Sequence, residues 1–138
     1  MPPAPARRGL RRSLAAGAVY DAALGLFIVF AGPAAMTALG HPPAGTSFYF
    51  RLGALPLLLL PALYLAAARS PQIDAFRGPV LWARGGGGAI LLLLVATLRP
   101  EPAWLFAAVA GVDLALAAVH ALLWRSSPDR APVASRVS

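Results

Sequence analysis

Along the chain, four long apolar runs alternate with three short links rich in proline and glycine. The runs cover residues 14–39, 48–68, 79–98 and 103–124, and the links read GHPPAGTS (40–47), RSPQIDAFRG (69–78) and RPEP (99–102). A helix that crosses a bilayer needs about 20 apolar residues to cover about 30 Å of hydrocarbon, and each run is that long. Links this short join antiparallel neighbours. The pattern therefore predicts an all-α membrane protein, an up-down bundle of four transmembrane helices over 14–124. A basic segment (1–13) precedes it, and a polar tail (125–138) that is expected to be disordered follows it.

The third run poses a local problem. It contains LWARGGGGAILLLLVATL (81–98), and the part after the glycines, AILLLLVATL, would cover only about 15 Å as a helix. A full span must start near Pro79, a residue suited to a first helical turn. Arg84 and Gly85 to Gly88 then lie inside the helix, where glycines let neighbouring backbones approach. The alternative is a re-entrant or broken helix at this point. In the second run, Pro56 and Pro61 each withdraw a helix hydrogen bond, so kinks are expected there.

Composition agrees with the pattern. Of 138 residues, 59% are hydrophobic and only 12% charged, against roughly 25% charged in soluble domains. Cysteine is absent, which excludes disulfides, thiolate metal sites and cysteine catalysis. All 12 basic residues are arginine. In a four-span topology Arg7, Arg8, Arg11, Arg12, Arg69, Arg77, Arg125, Arg130 and Arg136 fall on one side, and Arg99 alone on the other. This bias places both termini in the cytoplasm. It also explains the net charge of +7 without nucleic acid; the expected partner is the lipid bilayer. The opening RRGLRRSLAAGAVYDAALGLFIVFA has the basic and apolar parts of a signal peptide, but Asp21 interrupts the apolar part and the small-residue site falls late, so a first span is expected.

Each run carries a charge that lipid does not tolerate: Asp21, Arg51, Arg84 and Asp113. Such residues cost roughly 2.5–3.5 kcal/mol each at a span's centre unless they face the bundle interior. By helix rise, Asp21 lies about 10 Å and Arg84 about 8 Å from the cytoplasmic face, with Asp113 near the midplane. His120, seven residues from Asp113 on the same face, and Tyr64 reach similar inner depths. Asp21, Arg84, Asp113, His120 and Tyr64 are thus expected to converge as one intramembrane polar cluster. Around Asp21, Gly17, Gly25 and Gly32 form a stripe for close helix packing. Arg51 lies towards the outer side, where it pairs with Glu101 or reaches the headgroups. The two histidines, His41 and His120, fall on opposite sides, so one chain builds neither a metal cluster nor a bis-histidine haem site. No catalytic triad spacing occurs, and GGGG does not follow a strand as a phosphate loop would. No cofactor, metal or catalytic residue is expected.

Several short motifs carry a family likeness. They are Gly25 with Pro33 in the first run, HPP (His41 to Pro43), RLG (Arg51 to Gly53), YLAAARSP (Tyr64 to Pro71), ARG (Ala83 to Gly85) and VDL (Val112 to Leu114). With these, the chain resembles small bacterial membrane proteins of the DoxX-like kind. The resemblance covers residues 14–124 and implies a four-helix bundle in the bacterial inner membrane. Some such proteins are associated with quinone-linked sulfur redox complexes, but no redox residue here matches a motif, so the fold carries over and the activity does not. The chain also resembles small multidrug transporters in helix count and in an acid in the first helix, although theirs is a glutamate. The functional expectation is an accessory or interaction subunit, in a homo-oligomer or larger membrane complex, rather than an enzyme. The alternatives are a proton- or solute-linked carrier using Asp21 and Asp113, and a membrane enzyme or binder for a quinone- or lipid-like ligand beside His120 and Tyr64.

Overall fold

A computed structural model describes residues 5–43 and 47–126, and the side chains of residues 5, 6 and 49 lie outside the description. The described residues form helices and no strand: α1 (Pro5–Phe30), α2 (Gly32–Ala38), α3 (Ser47–Leu52), α4 (Leu55–Arg69), a 3-10 turn (Ile73–Phe76), α5 (Arg77–Leu81), a π turn (Trp82–Gly86), α6 (Gly87–Leu98) and α7 (Ala103–Arg125). Four stretches are long and apolar enough to cross a membrane: Arg7–Phe30, Phe50–Arg69, Ile73–Leu98 and Ala103–Arg125. The expected tail from residue 127 onwards lies outside the described residues.

The first run differs from its sequence reading at both ends. Helix α1 includes residues 5–13, because Leu10 and Leu14 continue its packing stripe and are fully buried. Two arginines hold this extension. Arg7 pairs with Asp74 at 3.0 Å, and Arg11 donates to the carbonyls of Ala68 and Ser70, both at 2.8 Å, where the end of α4 leaves acceptors without helical partners. At the other end the helix breaks at Ala31. Pro33 cannot supply the next amide and its ring crowds the preceding turn, so α2 starts afresh. That short helix closes in a Schellman motif: Gly40, at φ +81, donates to Thr37 O and His41 to Met36 O. A left-handed residue is needed there, and glycine adopts it without strain.

The second run also divides. It turns at Gly53 and Ala54, and Pro56 sits in the first turn of α4, where no helical hydrogen bond is lost. Only Pro61 is internal to a helix.

The third run is continuously wound from Ile73 to Leu98, which answers the question about the glycines: Arg84 and Gly85 to Gly88 are helical. The winding is not uniform, however. Trp82–Gly86 opens into a π turn, a one-turn widening that sequence pattern does not foretell and that rotates the face of the residues it carries. Arg84 at its centre points inward, while Trp82 is exposed.

Packing pairs α1 with α4, and α6 with α7, and α1 also packs on α7. Arg11 meets the end of α4, and a Cβ on Gly25 would stand 2.8 Å from Leu58 Cδ2 near its start, so α1 and α4 run antiparallel. The apolar core gathers at the arginine-rich end: Leu10, Leu14 and Ala18 against Tyr64, Ala67, Ile73, Val80 and Trp124. Among the four glycines, Gly88 is the tight one. A Cβ there would stand 3.0 Å from Leu114 Cγ, 3.1 Å from the Ala110 carbonyl oxygen and 3.3 Å from Asp113 Cβ, whereas one on Gly87 would meet nothing within 4 Å. Adjacent substitutions are therefore expected to act with opposite signs. Gly88→Ala should lower unfolding stability in detergent by about 1–3 kcal/mol through overpacking, and Gly87→Ala should raise it by up to about 1 kcal/mol through helix propensity. Equal effects at the two positions would show that α6 does not rest on α7 at Gly88.

Candidate functional site

The charges expected to converge do so. Arg84 rises from the π turn with 1% of its surface exposed and meets Asp21 of α1, which is fully buried. Arg84 Nη2 donates to Asp21 Oδ2 at 2.9 Å, and Nη1 stands 2.8 Å from Oδ1. Nη1 also donates to Asp113 Oδ1 on α7. A third acceptor is the backbone carbonyl of Gly17, 3.0 Å from Nη2. One planar, always-charged guanidinium thus ties α1, the third run and α7 together, as its fork of donors allows and a lysine's point charge would not. Gly17 makes this approach possible: a Cβ there would stand 3.1 Å from Arg84 Nη2 and 3.7 Å from His120 Cε1.

Two aromatic rings flank the guanidinium. Arg84 Cζ lies 4.8 Å from the Tyr64 ring centroid and 5.6 Å from that of Tyr20, within reach of a cation–π contact. Tyr20 escaped the sequence reading; its place beside Asp21 was the available signal. Beyond Tyr64, His120 and Trp124 continue the buried polar tract, with ring centroids 6.4 Å apart at each step. The Tyr64 hydroxyl, both His120 ring nitrogens and Trp124 Nε1 are buried without a hydrogen-bond partner. The Ser13 backbone lies close to the His120 ring.

Of the two alternatives for Arg51, the pair with Glu101 is not formed. Glu101 Oε2 stands 3.5 Å from His41 Nδ1, and Arg51, at the end of α3, points to the exterior. The Schellman turn brings His41 to the link that carries Glu101, whereas Arg51 falls on the outer face of its short helix. Among the described residues, no group of three or more His, Cys, Asp or Glu side chains gathers as a metal site.

Beyond the cluster, towards the His41 end, a chamber of about 410 Å³ opens between the helices. Its wall is almost entirely apolar and draws on all four runs, including Leu24, Phe27, Phe50, Leu57, Leu91 and Val109. The breaks described above shape it: Gly32 and Gly53, both at bends, line the wall without adding side chains. Leu24 stands one helical turn beyond Asp21, and Val109 one turn from Asp113, so the charge cluster underlies the chamber. It does not adjoin His120 and Tyr64, beside which the alternative of a quinone- or lipid-like ligand would place the ligand. Compared with family models, curated proteins and solved structures, the chain matches none.

Proposed function

We propose that this chain is a multi-pass integral membrane protein that holds the hydrocarbon tail of a lipid- or quinone-like molecule in its apolar chamber, with the Arg84 cluster as a rigid base. In this reading the four spans cross the bacterial inner membrane up and down, and both termini face the cytoplasm. The inverted distribution of polarity supports insertion. Asp21, Arg84 and His120 are interior, while Phe30 is 78%, Leu59 65% and Leu93 62% exposed, the opposite of a water-soluble domain. Trp82 and Trp104 are exposed near opposite ends of the bundle, where membrane–water interfaces favour tryptophan.

The chamber is the observation that carries the binding function. Its volume lies within the 300–1,000 Å³ typical of small-molecule sites, and an apolar wall without a polar handle selects a tail and not a headgroup. Helices α4 and α6 do not pack closely on each other, and Leu57 and Leu91, one from each, line the chamber. That seam is the route by which a tail passes in from the bilayer. The test is purification in mild detergent with mass spectrometry of retained small molecules. One tail-bearing molecule per chain is expected, and it should be lost from Ala35→Phe/Val109→Phe, which fills the chamber from two residues of its wall, while thermal stability is kept. Absence of such a molecule from the parent protein, or its retention in the filled variant, would overturn the reading.

A second reading, an accessory subunit in a homo-oligomer or larger complex, is favoured by Gly87 and Gly111. Both are exposed, with no atom within 4 Å of a notional Cβ, and small residues on outward faces let another helix close in. The same purification tests it through the mass of the intact particle.

A further inference from the structure

The cluster carries two carboxylates against one guanidinium. With Asp21 and Asp113 both ionised it would hold one excess negative charge in an apolar interior, where an uncompensated charge is costly. The two acids are not equivalent. Asp21 is fully buried and both its oxygens face Arg84. Asp113 engages Arg84 through Oδ1, and its side chain keeps 15% exposure. One proton on Asp113 Oδ2 would neutralise the cluster and leave every Arg84 contact in place.

A second, independent feature leads to this place. Between the cluster and the arginine-rich end lie the four unpartnered polar atoms of Tyr64, His120 and Trp124, and at that end Arg11 Nε is buried in the same state. Buried polar groups of this kind are served by internal water, and the three rings that carry them succeed one another at centroid separations of 6.4 Å, within the range of direct aromatic packing. The chemistry suits proton transfer. A neutral imidazole accepts at one nitrogen and donates at the other, a tyrosine hydroxyl does both, and the indole N–H anchors a water without itself relaying.

We propose that Asp21, Arg84 and Asp113 form a proton-binding site, loaded at Asp113 and reached from the arginine-rich end through a hydrated tract past Trp124, His120 and Tyr64. A proton from bulk water converts the Asp113 carboxylate to the carboxylic acid, and no electron moves. The groups facing the site are Arg84 from the third span, Asp21 and Tyr20 from α1, Tyr64 from α4 and His120 from α7. The proposal is independent of the chamber's occupant.

Infrared difference spectroscopy of the full-length protein in lipid nanodiscs tests both halves. At neutral pH the parent protein should show the C=O stretch of one carboxylic acid. Asp113→Asn, whose neutral amide copies the protonated acid, should lose that band and keep its thermal stability, whereas Asp21→Asn should melt earlier. No band in the parent protein, or a band that survives Asp113→Asn, overturns the loading site. On transfer to D₂O the band should shift, and Tyr64→Phe and His120→Phe should slow that exchange by at least about tenfold. Trp124→Phe, which removes one N–H and keeps the packing, serves if His120→Phe fails to fold. Exchange at the parent rate in these variants overturns the tract.

Discussion

Arg84→Ala is expected to lower unfolding stability in detergent by about 3–5 kcal/mol, the cost of removing one partner from a buried ion pair. The loss falls mainly through Asp21, because that carboxylate is fully buried and has both oxygens on the guanidinium. Adding Asp21→Asn to Arg84→Ala should therefore recover more stability than adding Asp113→Asn. Arg84→Lys should not rescue, since a single ammonium cannot reach both acids and the Gly17 carbonyl together. The measurement is a double-mutant cycle on chemical or thermal unfolding. Additivity within about 0.5 kcal/mol would show that the charges do not interact, and the tie between the helices would be lost from the account.

The second large effect concerns the surface. The chain has no cysteine, so single cysteines are clean probes. Gln72→Cys, in the exposed link before the 3-10 turn, should react with an aqueous maleimide in intact membranes. Leu93→Cys should stay unlabelled over the time in which Gln72→Cys goes to completion, although Leu93 is as open on the protein surface as many loop residues. Only lipid cover distinguishes the two. Gly86→Cys, in the π turn, should resist as well. Equal labelling at Gln72 and Leu93 would mean that water wets the apolar faces, and the membrane reading would fail.

The apolar runs made legible the four helical stretches long and apolar enough to cross a membrane, because length and hydropathy are local properties. Convergence of Asp21, Arg84, Asp113, His120 and Tyr64 was legible too: short links align the spans, so helix rise alone ranks the depth of each charge. Features that depend on a neighbour were not. The π turn belongs with the pull of Arg84 towards two acids on other helices, and nothing in WARGG by itself signals it. The helical character of residues 5–13 rests on Leu10, whose burial depends on partners more than 50 positions away in α4. The chamber arises from bends at Ala31 and Gly53, and a bend's direction is not written in the residues that permit it. Depth alone left Arg51 two fates, a pair with Glu101 or the headgroups, because depth ignores which way each side chain faces.

The division of charge between the two halves of the chain has a consequence for synthesis. Asp113 and Arg84 travel together on the second pair of spans and balance each other from the moment both are made. Asp21 belongs to the first pair, and its partner Arg84 lies 63 residues downstream. At ribosomal speeds of 5–20 residues per second, Asp21 waits about 3–13 s after its own synthesis before that partner is made. For that interval the nascent chain carries an unmatched acid, and the arriving guanidinium is what tells a finished molecule from a half-made one.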